Sequence, residues 1–134
     1  MRDWKDLFAS YRNSSVISAG IAADEAEIQA VATASGLDFV HVDVHDVSDK
    51  RGLLQSIAGA LEFPEYFGVN WDALNDCLTD MSWRPAAGYV VLLTGLQRAG
   101  ESLSEDVVRL TEVLQGVVDF WRERERPFYV ILNV

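Results

Sequence analysis

Residues 89–93 read YVVLL, an apolar run with no charged or amide side chain to break it. A strand with one wet face alternates apolar and polar residues, so an unbroken run marks a strand covered on both faces, as in a parallel sheet flanked by helices. Three more short runs, SVISA (15–19), FVHVDV (39–44) and FYVIL (128–132), are rich in β-branched and aromatic residues and predict further strands. Between them the apolar spacing turns helical. Trp4, Leu7, Phe8 and Tyr11 stand at i, i+3, i+4, i+7; Ile28, Val31 and Ala32 mark a helix over about 23–35; Leu53, Leu54, Ile57 and Leu61 mark another. A long helix over about 104–124 buries Val107, Leu110, Leu114, Val117 and Trp121, and is opened by Ser102 or Ser104 ahead of Glu105 and Asp106. Strands alternating with helices predict an α/β fold, a layer with mostly parallel strands.

The chain has 134 residues, 49% of them hydrophobic, enough to close one core without metals or disulfides. A single domain over 1–134 is expected, with 1–36 as an N-terminal helix-strand-helix extension and 37–134 as the core. The one cysteine, Cys77, cannot form an internal disulfide, and MRDWKDLFAS lacks the apolar run of a signal or a membrane span. A reducing, cytoplasmic setting is expected, with the free protein a monomer. Eleven basic against 21 acidic residues give a formal charge of −10. That balance disfavours nucleic acid and anionic membranes and favours cationic partners. No lysine or arginine lies between Arg51 and Arg84, while Glu62, Glu65, Asp72, Asp76 and Asp80 do, so the negative potential concentrates there.

Within that window, residues 63–83 read FPEYFGVNWDALNDCLTDMSW. Pro64 and Gly68 punctuate a turn, and Asn70 is placed to cap a helix starting at Trp71. Trp71, Leu74, Cys77 and Leu78 fall on its inward side; Asp72, Asn75, Asp76, Thr79 and Asp80 fall together on the other. Asp72 suits the first turn, where a carboxylate meets the positive end of the helix dipole. Asp76, in mid-helix with a like charge four residues to either side, opposes local stability, as does Asp80 near the negative end. Such conflicts mark functional positions. Paired catalytic acids need a concave pocket and a titratable or metal partner. Acids on a helix surface, flanked by Tyr66 and Trp83, suit docking to a strongly basic protein surface instead. A cleft built for phosphates would accept carboxylates at similar spacing.

PEYFGVNWDALNDCL (64–78) resembles the signature of the barstar family, intracellular protein inhibitors of secreted microbial ribonucleases, and the resemblance extends more loosely from about Asp38 to Val134. It implies a three-stranded parallel sheet with packed helices, no enzymatic activity and no cofactor. It also implies that the helix and its preceding loop plug a ribonuclease active site. By matching positions, Tyr66 is the loop aromatic that packs on the enzyme, Asp72 an acidic contact, Asp76 the carboxylate in the phosphate site and Thr79 a polar rim contact. The partner is then a basic secreted ribonuclease or a ribonuclease toxin. Asn75, Asp80 and Met81 stand where the family's best-known member has tryptophan, glycine and tryptophan, which makes a different partner surface. A further family acid comes from the long helix, with Asp119 and Glu123 as candidates. The first 36 residues have no counterpart and are expected to extend the sheet.

Other constellations compete. His41, Asp43 and His45 share one strand face by period two and are metal ligands in principle, which would make a metal-assisted hydrolase. Neighbours along one strand do not converge on a point, and no third histidine exists, so no metal is expected. Cys77 reads as a small buried hydrophobe rather than a nucleophile. TGLQRAG around Gly95 lacks the spacing and lysine of a phosphate loop. Glu65 and Asp72 have nothing to fix their separation as an acid/base pair. A barstar-like module for a basic partner other than a ribonuclease remains the main alternative.

Overall fold

The structure, a computed structural model, describes residues 3–19, 24–98 and 103–133. All four expected strands form: β1 (Val16–Ser18), β2 (Asp38–Asp43), β3 (Tyr89–Thr94) and β4 (Phe128–Leu132). They make one parallel sheet in the order β1-β4-β3-β2, with Val91 level with both Val40 and Val130. β3 and β4 are the inner strands, and every residue of YVVLL and FYVIL is buried.

The pleat divides these side chains between two apolar layers. Val91, Leu93, Val130, Leu132, Val40 and Val42 pack with α3 (Lys50–Ala60), α4 (Trp71–Leu78) and α5 (Ser104–Glu123). On the other side, Val90, Leu92, Tyr129 and Ile131 pack with Trp4 and Phe8, from α1 (Trp4–Leu7) and its C-cap, and with Ile28 and Ala32 of α2 (Glu25–Ala34). The N-terminal segment therefore does more than extend the sheet through β1. It supplies the cover for the second face, where each fully buried large apolar side chain contributes about 1.5–3 kcal/mol.

Capping sets the helix starts. Asp24 Oδ1 accepts from the Ala26 and Glu27 amides, and Asp49 Oδ1 from the Gly52 amide. α2 stops at Gly36, φ +77, where the Leu37 and Gly36 amides return to the Ala32 and Thr33 carbonyls. Gly95 is also structural, at φ +86, where a Cβ would stand 2.5 Å from the His45 backbone nitrogen.

Two local expectations need correction. The first helix does not reach Tyr11: α1 ends at Leu7, and Tyr11–Asn13 form a separate 3-10 turn. Ser10 causes the break, since its Oγ accepts from the Arg12 amide and its carbonyl accepts from the Tyr129 hydroxyl at 2.6 Å. α5 has no hydroxyl cap. Ser102 lies outside the described residues, Ser104 is already helical, and the N-cap is Leu103, which makes no side-chain cap bond and packs on the core with a half-buried Val107.

Ser14, 2% exposed, is the one buried polar side chain among the described residues. Its Oγ accepts from the Phe128 amide at 3.1 Å and its carbonyl accepts from Arg122 Nη1 at 2.7 Å, which ties the N-terminal layer to the start of β4. Ser14→Ala should leave the Phe128 amide buried without a partner and lower unfolding free energy by about 1–3 kcal/mol, measured by urea denaturation.

Candidate functional site

α4 begins where the sequence predicts. Asn70 is extended (φ −146, ψ 170), and its Oδ1 accepts from the Ala73 amide at 2.8 Å. This cap fixes where the helix starts, and burial of its apolar side sets its rotation. Leu74, Cys77 and Leu78 are buried and Trp71 half-buried, while Asp72, Asn75 and Asp76 are exposed and Thr79 is partly so. At the far end the Trp121 indole N–H donates to the Leu78 carbonyl at 2.8 Å, satisfying a helix carbonyl that has no intrahelical partner. Thr79 is the C-cap, and its hydroxyl donates back to the Asn75 carbonyl at 2.7 Å.

The three aspartates do not all share the helix. α4 ends at Leu78, and Asp80 lies beyond the cap, next to Met81 at φ +55. The like-charge spacing acts within the helix once, between Asp72 and Asp76, at about 0.2–0.5 kcal/mol. All three carboxylates are exposed, and among the described residues none is ion-paired. Glu65, also exposed, stands in the turn before the helix.

Tyr66 occupies the tip of that turn, closed by the Phe67 amide donating to the Pro64 carbonyl at 3.0 Å. It is 75% exposed, while Phe63 and Phe67 on either side pack into the core. Trp83 is not its counterpart at the other end of the helix. The indole is half-buried, edge-on to Phe63, with its N–H bonded to the Leu61 carbonyl.

The structure adds residues that the sequence did not single out. A groove of about 230 Å³ runs beside the first turns of α4, lined by Trp71, Asp72, Asn75, Arg109, Glu112 and Val113. Arg109 and Glu112 form an exposed i,i+3 ion pair at 3.7 Å on α5. Helical spacing places Arg109, Glu112 and Val113 on one side of α5, but nothing local indicates that this side meets α4. Farther along α5, Asp119 is engaged by Arg122 and by Gln115 Nε2 (3.1 Å), whereas Glu123 is exposed.

His41, Asp43 and His45 do not converge. β2 ends at Asp43, leaving His45 beyond the strand. His41 spends its ring nitrogens on Glu25 (3.1 Å) and Thr94 (2.7 Å), and His45 on Asp43 (2.9 Å) and Asp46 (3.1 Å). Partial burial pushes the Asp43 carboxyl up, but the His45 amide and both imidazoles outweigh it and hold its pKa below the ordinary value. Among the described residues no group of three or more His, Cys, Asp or Glu side chains could hold a metal ion, and no helix is long and apolar enough to cross a membrane.

Fold and site together define a small parallel α/β protein that presents an acidic helix beside an exposed tyrosine. Residues 37–133 match the Barstar (barnase inhibitor) family, and the chain belongs to it. The match covers β2, β3, β4 and helices α3 to α5; β1 is the fourth strand added on the β4 edge. No curated protein matches the chain.

Burial, followed by the nearby charges of Asp76 and Asp80, pushes the Cys77 thiol above its ordinary pKa. A thiol-specific reagent at neutral pH should therefore modify the native protein roughly tenfold or more slowly than the urea-unfolded chain. Equal rates would mean that Cys77 is accessible.

Proposed function

We propose that this chain inhibits a basic ribonuclease, secreted or delivered as a toxin, by covering its active site with α4 and the turn before it. The observation that carries this reading is the set of exposed carboxylates of Asp72 and Asp76 on one capped helix, without an ion-pair partner among the described residues, beside an exposed Tyr66. Asp76 takes the place of an RNA phosphate among the enzyme's cationic side chains. Asp72 and Asp80 lie toward the two ends of this contact, Asn75 and Thr79 supply polar contacts, and Tyr66 packs on the enzyme as the aromatic anchor. The family match over 37–133 supports a ribonuclease as partner. Under this reading residues 1–134 act as a single domain, monomeric when free, cytoplasmic, without enzymatic activity or cofactor, and a net charge of −10 keeps it from nucleic acid and anionic membranes.

The deciding experiment captures ribonuclease from the producer's secretome on the immobilised protein and then measures RNA cleavage with and without it. Inhibition at stoichiometric ratio is expected. Binding that leaves RNA cleavage intact would favour a barstar-like module for another basic partner.

Asp76→Ala should weaken the complex by roughly 2 kcal/mol or more, the range of acidic hot spots for which barnase–barstar is the standard example. Asp80→Ala, beyond the end of the helix, should cost less, and equal small losses in titration would contradict the assignment. Asp76→Ala should also leave folding stability unchanged or slightly raised, because it removes a like-charge pair. The association rate should fall steeply between low and high ionic strength while the dissociation rate changes little, as stopped-flow measurements would show. A salt-independent association rate would exclude electrostatic steering.

A further inference from the structure

We propose that Trp83 is a positioning residue, the brace that holds the Tyr66 turn in one place before any partner arrives. Its consequence for inhibition rests on the reading above; the brace itself does not. Tyr66 is 75% exposed, so its own ring has little packing to hold it, and its position must come from the two ends of the turn. Both ends lead to Trp83. Leu61, the C-cap of α3, presents a carbonyl past the reach of intrahelical donors, and the Trp83 indole N–H donates to it at 3.2 Å. The Trp83 ring stands edge-on to Phe63, with centroids 5.5 Å apart at 85°, and Phe63 stands edge-on to Phe67 at 5.1 Å and 70°. Three rings therefore connect the segment after α4 to the residues on both sides of Pro64–Glu65–Tyr66.

The brace is itself fixed to the sheet. Arg84, the next residue, clasps both carboxylate oxygens of Asp38 at the start of β2, and its carbonyl accepts from the Tyr89 hydroxyl at the start of β3. A route of direct contacts runs from the strands through Arg84 and Trp83 to Phe63 and Phe67. An anchor ordered in the free protein loses less entropy on binding, and among variants of one interface such differences fall mostly on the dissociation rate.

Trp83→Phe keeps a ring and removes the N–H; Trp83→Leu removes both. The test is amide hydrogen exchange on the full chain, with the Phe67 amide reporting the turn and the Val90 to Leu93 amides reporting the whole fold. The expected result is Phe67 exchange faster by about tenfold in Trp83→Leu and by an intermediate factor in Trp83→Phe, with β3 protection retained. Unchanged Phe67 exchange overturns the proposal, and so does acceleration of β3 along with it in both variants. In a second measurement with barnase as the probe, the Leu variant should dissociate faster with an unaltered association rate. Faster Phe67 exchange without faster dissociation would overturn the role in binding while leaving the brace. If the wild-type chain leaves barnase active, the ribonuclease reading fails for that enzyme, and hydrogen exchange alone decides the brace.

Discussion

β3 and β4 carry apolar side chains on both faces, and each face has to be covered or the sheet is unstable in water. Val91, Leu93, Val130 and Leu132 are covered by α3, α4 and α5; Val90, Leu92, Tyr129 and Ile131 by the N-terminal layer. This two-sided demand places everything else. It fixes α4 against the first face by Leu74 and Leu78, so the polar side of the helix turns outward, toward solvent and the groove it shares with α5.

α4 itself is short, eight residues, below the length at which a helix is stable alone. Its order comes from neighbours: Asn70 at its start, the Trp121 indole at its end and the apolar layer beneath. That support lets the exposed side carry Asp72 and Asp76 against local preference, at a cost small beside the burial of Leu74 and Leu78. Surface chemistry and folding energy are thus supplied by different residues of one element, and the surface can vary without loss of the fold. Asn75 and Asp80 are positions where such variation has room.

Much of this was legible in the sequence because it depends on local chemistry. The unbroken YVVLL, the Asn70 cap and the inward spacing of Leu74, Cys77 and Leu78 all read correctly, and each involves residues within a few positions of one another. What escaped depends on distant partners. Ser10 ends the first helix partly through Tyr129, Ser14 serves Phe128, and Trp83 turns inward because the Leu61 carbonyl and the Phe63 edge are there. Arg109 and Glu112 enter the site only because α5 lies along α4. Period and propensity carry no record of such meetings. The cover of the second sheet face was foreshadowed by YVVLL, but its source in the first 36 residues was not.

The pairing of β1 with β4 joins residues 114 positions apart, as the Ser14–Phe128 bond does. During synthesis at about 5–20 residues per second, the earliest strand waits roughly 6 to 23 seconds for its neighbour to be translated. Over that interval Trp4 and Phe8 have no sheet to lie on and Ile17 has no partner strand, and apolar surface exposed in this way is prone to aggregate. Topology of this kind also makes refolding slow relative to helical proteins of equal size, since the most distant contact closes the largest loop.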